Sequence, residues 1–322
     1  MLDAQGRSID YVRISVTDRC NLRCVYCMPE SGVKPVTHGE LLRYEEIVRL
    51  TRLLAQLGVR KVRITGGEPL VRRDLPALIR GIKAIDGIEM VCLTTNGLLL
   101  KEQLSELLSS GLDSVNISLD ALDETAFEAV TRRRGVSMVL DSIDAALCSG
   151  LPVKINCVLT ELNERQLVPM AERFLSDERL ALRFIELMPI GLGKTLEGIS
   201  PETVAALLSE HFGKMTPLEK ESMDGPCSYY KLGELPGRLG FISAVSNCFC
   251  ESCNRVRLTS TGFLKACLQY DHGVELKPLL QGSDETILSA MRSAIWEKPK
   301  RHSFGTRGGE HLERHIMSQI GG

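Results

Sequence analysis

The sequence predicts an α/β fold: a partial (β/α)6 TIM-like barrel whose open side is closed by a smaller C-terminal domain. Three observations predict it. Over the first two-thirds of the chain, short β-branched runs alternate with helix-period runs, which implies parallel strands with helices packed outside. Several strand runs themselves alternate apolar and polar residues, so one strand face is polar. After about residue 215 the alternation stops, and a segment rich in Gly, Pro, Ser and Cys begins.

The elements follow in order. "DYVRISV" (10–16) reads as the first strand. "YEEIVRLTRLLAQLG" (44–58) reads as a helix, with apolar residues at three-to-four spacing and Gly58 at its end. Strand "KVRITGG" (61–67) precedes helix "LPALIRGIKAI" (75–85), and strand "MVCLTTN" (90–96) precedes helix "KEQLSELLSSG" (101–111). Strand "SVNISLD" (114–120) leads to helix "MVLDSIDAALCSG" (138–150). Strand "VKINCVL" (153–159) leads to helix "ERQLVPMAERFLS" (164–176), and strand "LRFIEL" (182–187) to helix "PETVAALLSEHF" (201–212).

Six such units are too few for a closed eight-fold barrel. An open barrel and a doubly wound sheet remain. The strand pattern chooses between them, because parallel strands buried on both faces read as nearly continuous apolar runs. Here Val115, Ile117 and Leu119 oppose Asn116, Ser118 and Asp120. Val153, Ile155 and Cys157 oppose Lys154 and Asn156, and Val62 and Ile64 oppose Lys61, Arg63 and Thr65. Outer helices cover the apolar face. The polar face must line a wet or ligand-filled cavity, since buried unpaired charge is costly.

The 322-residue length suits one large domain or two ordinary ones. The break in pattern divides it into a barrel at 1–215 and a second domain at 216–322. A net charge of -2 gives no bulk electrostatic reason for a nucleic-acid or membrane partner. Any phosphate binding has to come from a local basic cluster. The start, "MLDAQGRSIDYVRIS", lacks an apolar core of signal-peptide length, and no run is apolar enough to span a bilayer. A cytoplasmic protein with reduced thiols is expected. Eleven cysteines then point to metal ligation rather than a disulfide framework.

Three of them, Cys20, Cys24 and Cys27, follow the first strand, where a parallel barrel builds its active face. Structural zinc usually takes four ligands. Three thiolates on one loop without a nearby histidine fit an iron–sulfur cluster better, with one iron left open. The second strand ends in "GGEP" (66–69), by itself an ordinary turn. A second group lies in "CFCESCNRVRLTSTGFLKACL", where Cys250 and Cys253 form C-x2-C and Cys267 follows; Cys248 competes as a ligand, and a zinc ribbon is the alternative. Arg255 and Arg257 share one side if their segment is extended, and paired guanidiniums beside an open metal site suit an anionic substrate. The chain ends in Gly321–Gly322, a frayed end or a thread for a narrow site.

Cys-x3-Cys-x2-Cys after the first strand, with Tyr26 before the last cysteine and "GGEP" one unit later, resembles the radical S-adenosylmethionine (SAM) enzymes. Within them the chain resembles the GTP 3',8-cyclase branch, through "RISVTDRCNLRCVYCMP", "VRITGGEPLVRRDL", "LTTNGLLL", "NISLDALD", "RFIELMPIG", the second cysteine group and the terminal glycines. The resemblance spans almost the whole chain; residues 191–200 are assigned nothing.

It implies two 4Fe-4S clusters, one on Cys20, Cys24 and Cys27 and one on Cys250, Cys253 and Cys267 in a cluster-binding C-terminal domain. It implies SAM contacts at Tyr26 (through its backbone), Gly67, Ser118 and Met188, and GTP contacts at Arg13, Arg63, Thr94, Lys154, Arg255 and Arg257. Gly321 and Gly322, with Arg255 and Arg257, would serve catalysis from within the site. It further implies a reductant of the flavodoxin or ferredoxin type, cyclic pyranopterin monophosphate synthase as the next enzyme, and admits a homodimer. A peptide-modifying radical SAM enzyme with an auxiliary cluster and a zinc-binding interaction module are the competing readings. Cys92, Cys148, Cys157, Cys227 and Cys248 read as structural or incidental thiols.

Overall fold

The computed structural model describes residues 1–219, 225–304 and 312–321. Strand β1 (Tyr11–Ser15) leads through the long loop carrying the first three cysteines to helix α1 (Tyr44–Gln56). The pairs β2 (Lys61–Thr65) and α2 (Leu75–Lys83), β3 (Met90–Thr95) and α3 (Leu100–Ser109) follow. Strand β4 (Ser114–Ser118) is followed by two helices, α4 (Glu124–Thr131) and α5 (Val136–Cys148). Then come β5 (Val153–Val158), α6 (Leu167–Leu175), β6 (Leu180–Ile185) and α7 (Pro201–Phe212). All six predicted units are present. The sequence reading missed α4, a short helix started by Asp123, whose carboxylate accepts the Ala126 N–H at 2.9 Å.

The segment beyond 215 continues the same sheet at both edges. Strands β7 (Met215–Pro217), β8 (Ser228–Leu232) and β9 (Arg238–Ile242) extend one edge, and β10 (Arg255–Leu258), β11 (Phe263–Lys265) and β12 (Gly273–Glu275) the other. The order is β12-β11-β10-β1-β2-β3-β4-β5-β6-β9-β8-β7. β10 runs parallel to β1, and β9 runs parallel to β6. The parallel run is therefore eight strands, two of them supplied by the C-terminal third, and its ends do not pair with each other: an open barrel. Helix α8 (Asp284–Trp296) buries Ile287, Met291, Ala294 and Ile295 and packs against α1, β11 and β12. Its period was readable, and Ser283 caps it by accepting the Thr286 N–H. A last turn, α9 (Met317–Ile320), brings the C-terminus back over the sheet.

The strand faces divide as their alternation predicts. Val12, Ile14, Val62, Ile64, Val115 and Ile117 are wholly buried in the core under the helices. The opposite residues line one cavity of about 330 Å³ on the concave side. No described helix is long and apolar enough to cross a membrane.

Candidate active site

The loop after β1 is stitched to the turn after β2. The Gly67 N–H donates to the Thr17 carbonyl at 2.7 Å, and the Glu68 N–H to the Arg19 carbonyl at 2.7 Å. The backbones touch so closely that a Cβ at Gly67 would lie 2.7 Å from the Asp18 oxygen and nearer still to that of Arg19. This close approach is the physical reason for glycine in "GGEP". Gly67→Ala is expected to displace the turn and destabilise the fold by about 1–3 kcal/mol, because the neighbouring carbonyls leave no room for a Cβ. Urea unfolding measures it, and a stability within about 0.5 kcal/mol of wild type would contradict the close approach.

Glu68 ties this turn to the next strand. Its carboxylate accepts the Leu70 N–H at 3.0 Å, the Thr95 hydroxyl at 2.7 Å and the Asn96 N–H at 2.7 Å. Burial outweighs these bonds and raises its pKa from 4.5 to about 7. The folded chain therefore holds a proton that the unfolded chain has released between those values. Stability from this group is present below pH 4.5 and is lost as pH rises toward 7, by about 3 kcal/mol. Urea unfolding of the cluster-free chain should give a lower free energy at pH 8 than at pH 5. In Glu68→Gln the slope should shrink to the part left by Asp120, whose pKa burial raises to about 6; an equal slope in the variant would assign it wholly to other groups.

Cys20, Cys24 and Cys27 all face the cavity. Burial pushes the Cys20 thiol to about 11 and the Cys27 thiol to about 12, and Cys24 well up. Asp120 and the neighbouring sulfurs add to the rise at Cys24, and Cys20 adds to it at Cys27. Three crowded, half-buried thiols gain from a cationic centre that stabilises their thiolates. The donor set, all soft sulfur, fits an iron–sulfur cluster. The Ser318 backbone, next to the C-terminus, hydrogen-bonds Cys27. The Tyr26 hydroxyl donates to Asp120 at 2.7 Å, and Asp120 also accepts the Val158 N–H at 2.8 Å. This anchors the cysteine loop to the ends of β4 and β5.

The cavity floor is cationic. Cross-strand register sets Arg257 beside Arg13 and Arg13 beside Arg63, on β10, β1 and β2. One step along the same strands, Arg255, Tyr11 and Lys61 form a second row. Burial, and then the nearby Arg63, Arg255 and Arg183, lower the Arg13 pKa to about 10 despite the opposing effect of Tyr11. Burial followed by Arg13 and Arg255 drives Arg257 well down. Burial works to raise Tyr11, yet Arg63, Arg13 and Arg255 bring it to about 8. Guanidiniums set side by side on adjacent strands in a chain of net charge -2 mark a place for an anion. Arg63 is aimed by the Tyr11 hydroxyl, which accepts its Nε–H at 3.0 Å, and by the Leu93 carbonyl at 3.0 Å.

The second cysteine group stands across the floor. Cys250, Cys253 and Cys267 line the same cavity. Burial opposes ionisation of Cys253, but Arg255 and Lys298 bring it down to about 7. Three sulfurs beside guanidiniums fit a second thiolate-held cluster. The tail reaches the floor from above: the Arg257 guanidinium donates to the Gly321 carbonyl at 2.5 Å. Gly321 has a φ of +74°, and a Cβ there would meet Thr65 and Ser15. Gly322 lies outside the described residues.

The structure thus brings together Arg13, Tyr26, Arg63, Gly67, Thr94, Ser118, Lys154, Met188, Arg255, Arg257 and both cysteine triads around one cavity. Sequence reasoning left out Arg183, Lys298 and Glu186. Arg183 sits on the polar face of β6, where Asn156 accepts its Nη2–H at 2.5 Å, and the same alternation rule would have found it. Lys298, whose ammonium reaches the Arg255 carbonyl at 2.9 Å from the end of α8, had no local signal. Nor had Glu186, which accepts the Val245 N–H at 2.7 Å.

Comparison with known proteins agrees with this architecture. Residues 14–174 match the Radical SAM superfamily, and residues 180–304 match Molybdenum Cofactor Synthesis C. Proteins named GTP 3',8-cyclase from Clostridium perfringens and Geobacter sulfurreducens are 40% and 42% identical, each over 100% of this chain and 100% and 99% of their own lengths. One from Heliobacterium modesticaldum is 44% identical over 100% of both chains. Streptococcus suis SuiB bound to S-adenosylmethionine shares the fold at a TM-score of 0.65 and 14% identity, over 90% of this chain and 68% of that one.

Proposed function

The chain belongs to the GTP 3',8-cyclases of the radical SAM superfamily, and from that membership we propose how its cavity divides the work. The reaction is conversion of GTP to 3',8-cyclo-7,8-dihydro-GTP, the first step of molybdenum cofactor biosynthesis, with SAM and two 4Fe-4S clusters. Cys20, Cys24 and Cys27 would hold the first cluster, and Cys250, Cys253 and Cys267 the second. The first cluster, when bound, would supply the electron for reductive cleavage of SAM; loss of the C3' hydrogen, formation of the C3'–C8 bond, and a second electron and a proton delivered to the guanine would then complete the cyclisation.

The protein's part is binding, orientation and exclusion of water. The Tyr26 backbone, Gly67, Ser118 and Met188 would hold SAM, all on segments at or beyond strand C-termini. Thr94 would bind GTP from the end of β3, and Lys154 from β5. Arg13, Arg63, Lys154, Arg255 and Arg257 would neutralise the triphosphate, and Arg257 with Gly321 and Gly322 would set the tail against the nucleotide. The single observation that carries this reading is the register row Arg257–Arg13–Arg63, three guanidiniums on adjacent strands without a carboxylate in the row. The same row disfavours a peptide-modifying activity, which needs a docking element rather than a cationic floor.

We place the barrel at 1–215 and the cluster- and GTP-binding domain at 216–322, the two sharing one sheet. A flavodoxin- or ferredoxin-type carrier would supply electrons, since SAM cleavage consumes one at low potential. Cyclic pyranopterin monophosphate synthase would take the product. Eleven free cysteines suit the reduced cytoplasm.

Anaerobic incubation with SAM, reductant and GTP tests the reading. The expected result is 5'-deoxyadenosine and cyclised nucleotide together, both dependent on GTP. Formation of 5'-deoxyadenosine at the same rate without GTP, with no cyclised nucleotide, would overturn the substrate assignment.

A further inference from the structure

Cys248 has no part in either triad, yet the structure seats it in a ligand set of its own. The Cys248 and Cys250 sulfurs and a ring nitrogen of His302 all lie within 4.8 Å of one another. The histidine comes from the segment after α8, fifty-two residues from Cys250. What holds these segments together is Arg7, buried and paired with Asp3 at 2.6 Å. Its guanidinium donates to the Cys250 carbonyl at 2.8 Å and to the Pro299 carbonyl at 2.9 Å. The His302 N–H then reaches the Cys250 sulfur at 3.4 Å.

The ring is placed like a ligand. His302 Nε2 is buried and makes no hydrogen bond of ordinary geometry, although the Ala244 backbone interacts with the ring, an arrangement that an ion or water would complete. The opposite nitrogen, Nδ1, is approached by the Phe304 N–H at 3.3 Å. A metal on Nε2 would put the ring proton on Nδ1 and give up that long contact. Two thiolates and one imidazole are a zinc donor set, with water as the fourth tetrahedral ligand. The spacing suits a single ion, because the three ligand atoms all lie within 4.8 Å of one another.

We propose that in the chain lacking its second cluster, Cys248, Cys250 and His302 hold one divalent cation of the zinc class, and that this ion and the second cluster exclude each other through the shared Cys250. Binding is ligand exchange: two thiols each give up a proton as two metal–sulfur bonds form, with no change of oxidation state. Part of this rests on the assignment of Cys250 to the second cluster; the ion site itself does not. Zinc would occupy this end of the cavity before iron and sulfide arrive, and abundant zinc would slow assembly of the second cluster alone.

The test uses the full-length chain, stripped of iron under anaerobic conditions, with Cys20, Cys24 and Cys27 replaced by serine. Cobalt(II) is titrated as the probe and then displaced by zinc. The expected result is one equivalent of tetrahedral cobalt with thiolate charge-transfer absorption. Cys248→Ser and His302→Gln should each weaken it by about 10-fold or more, and Cys267→Ser should leave it within twofold. Equal binding in all variants, loss in Cys267→Ser alone, or no cobalt binding would overturn the site. Uptake of the second cluster by Cys248→Ser and His302→Gln shows that they fold. In the otherwise unaltered chain, zinc loaded first should cut reconstituted iron by one cluster's worth; both clusters forming with zinc still bound would overturn the exclusion. Should Cys267→Ser keep its second cluster, the cluster assignment fails while the zinc result stands.

Discussion

Cys24→Ser is expected to lower SAM cleavage by at least ~10³-fold, about 4 kcal/mol of barrier. Cys24 is half-buried and lies near Asp120 and the sulfurs of Cys27 and Cys20. Its carbonyl also accepts the Cys27 N–H at 2.9 Å and the Met28 N–H at 3.0 Å, shaping the turn that aims the third cysteine. The triad has no spare thiol among the described residues: Cys92 and Cys157 are buried in strands, and Cys148 is exposed on α5. Loss of one ligand therefore leaves two. Iron, sulfide and 5'-deoxyadenosine should be measured on the anaerobically reconstituted variant beside Cys148→Ser, which should behave as wild type. Near-normal iron content and SAM cleavage in Cys24→Ser would remove Cys24 from the ligand set.

The second large effect is at the tail. Gly321→Val should reduce cyclised nucleotide by ~10²-fold or more, about 2.7 kcal/mol, while both clusters assemble. A β-branched residue resists the left-handed backbone that Gly321 adopts at +74°. Its Cβ would also stand 2.8 Å from Thr65 Oγ1 and 2.9 Å from Ser15 Cβ, at the ends of two strands that cannot retreat. The tail must lift, and the Arg257 bond to the Gly321 carbonyl breaks. Arg257→Ala is the poorer probe, because Arg257 also belongs to the arginine row. Deletion of Gly321 and Gly322 should match Gly321→Val. Unchanged cyclisation in both would make the terminus a frayed end.

The strands and most helices were legible because their signals are local. A period of two put Arg63, Ser118 and Lys154 on one face before any contact was known. The same period places Arg183 on that face within "LRFIEL". Helix α4 escaped because eight residues with three buried positions make a weak period. Cys-x3-Cys-x2-Cys and "GGEP" were legible for another reason: one loop carries each, so spacing alone limits the chemistry.

The sequence by itself determined an open βα sheet with a polar concave face, and a three-thiol loop at the end of its first strand. Those depend on residues within a few positions of one another. The tertiary structure alone decided that β10 lies beside β1 and β9 beside β6. That pairing puts Arg257 next to Arg13, just as Asn254 meets Asp10 at the strand starts, 244 residues apart in each case. It also alone decided that Lys298 meets Arg255, that Gly321 meets Arg257, and that His302 meets Cys250. No local period encodes such meetings, because they arise where distant strands and the chain's end close on one another, and their energy appears only once the intervening loops are ordered.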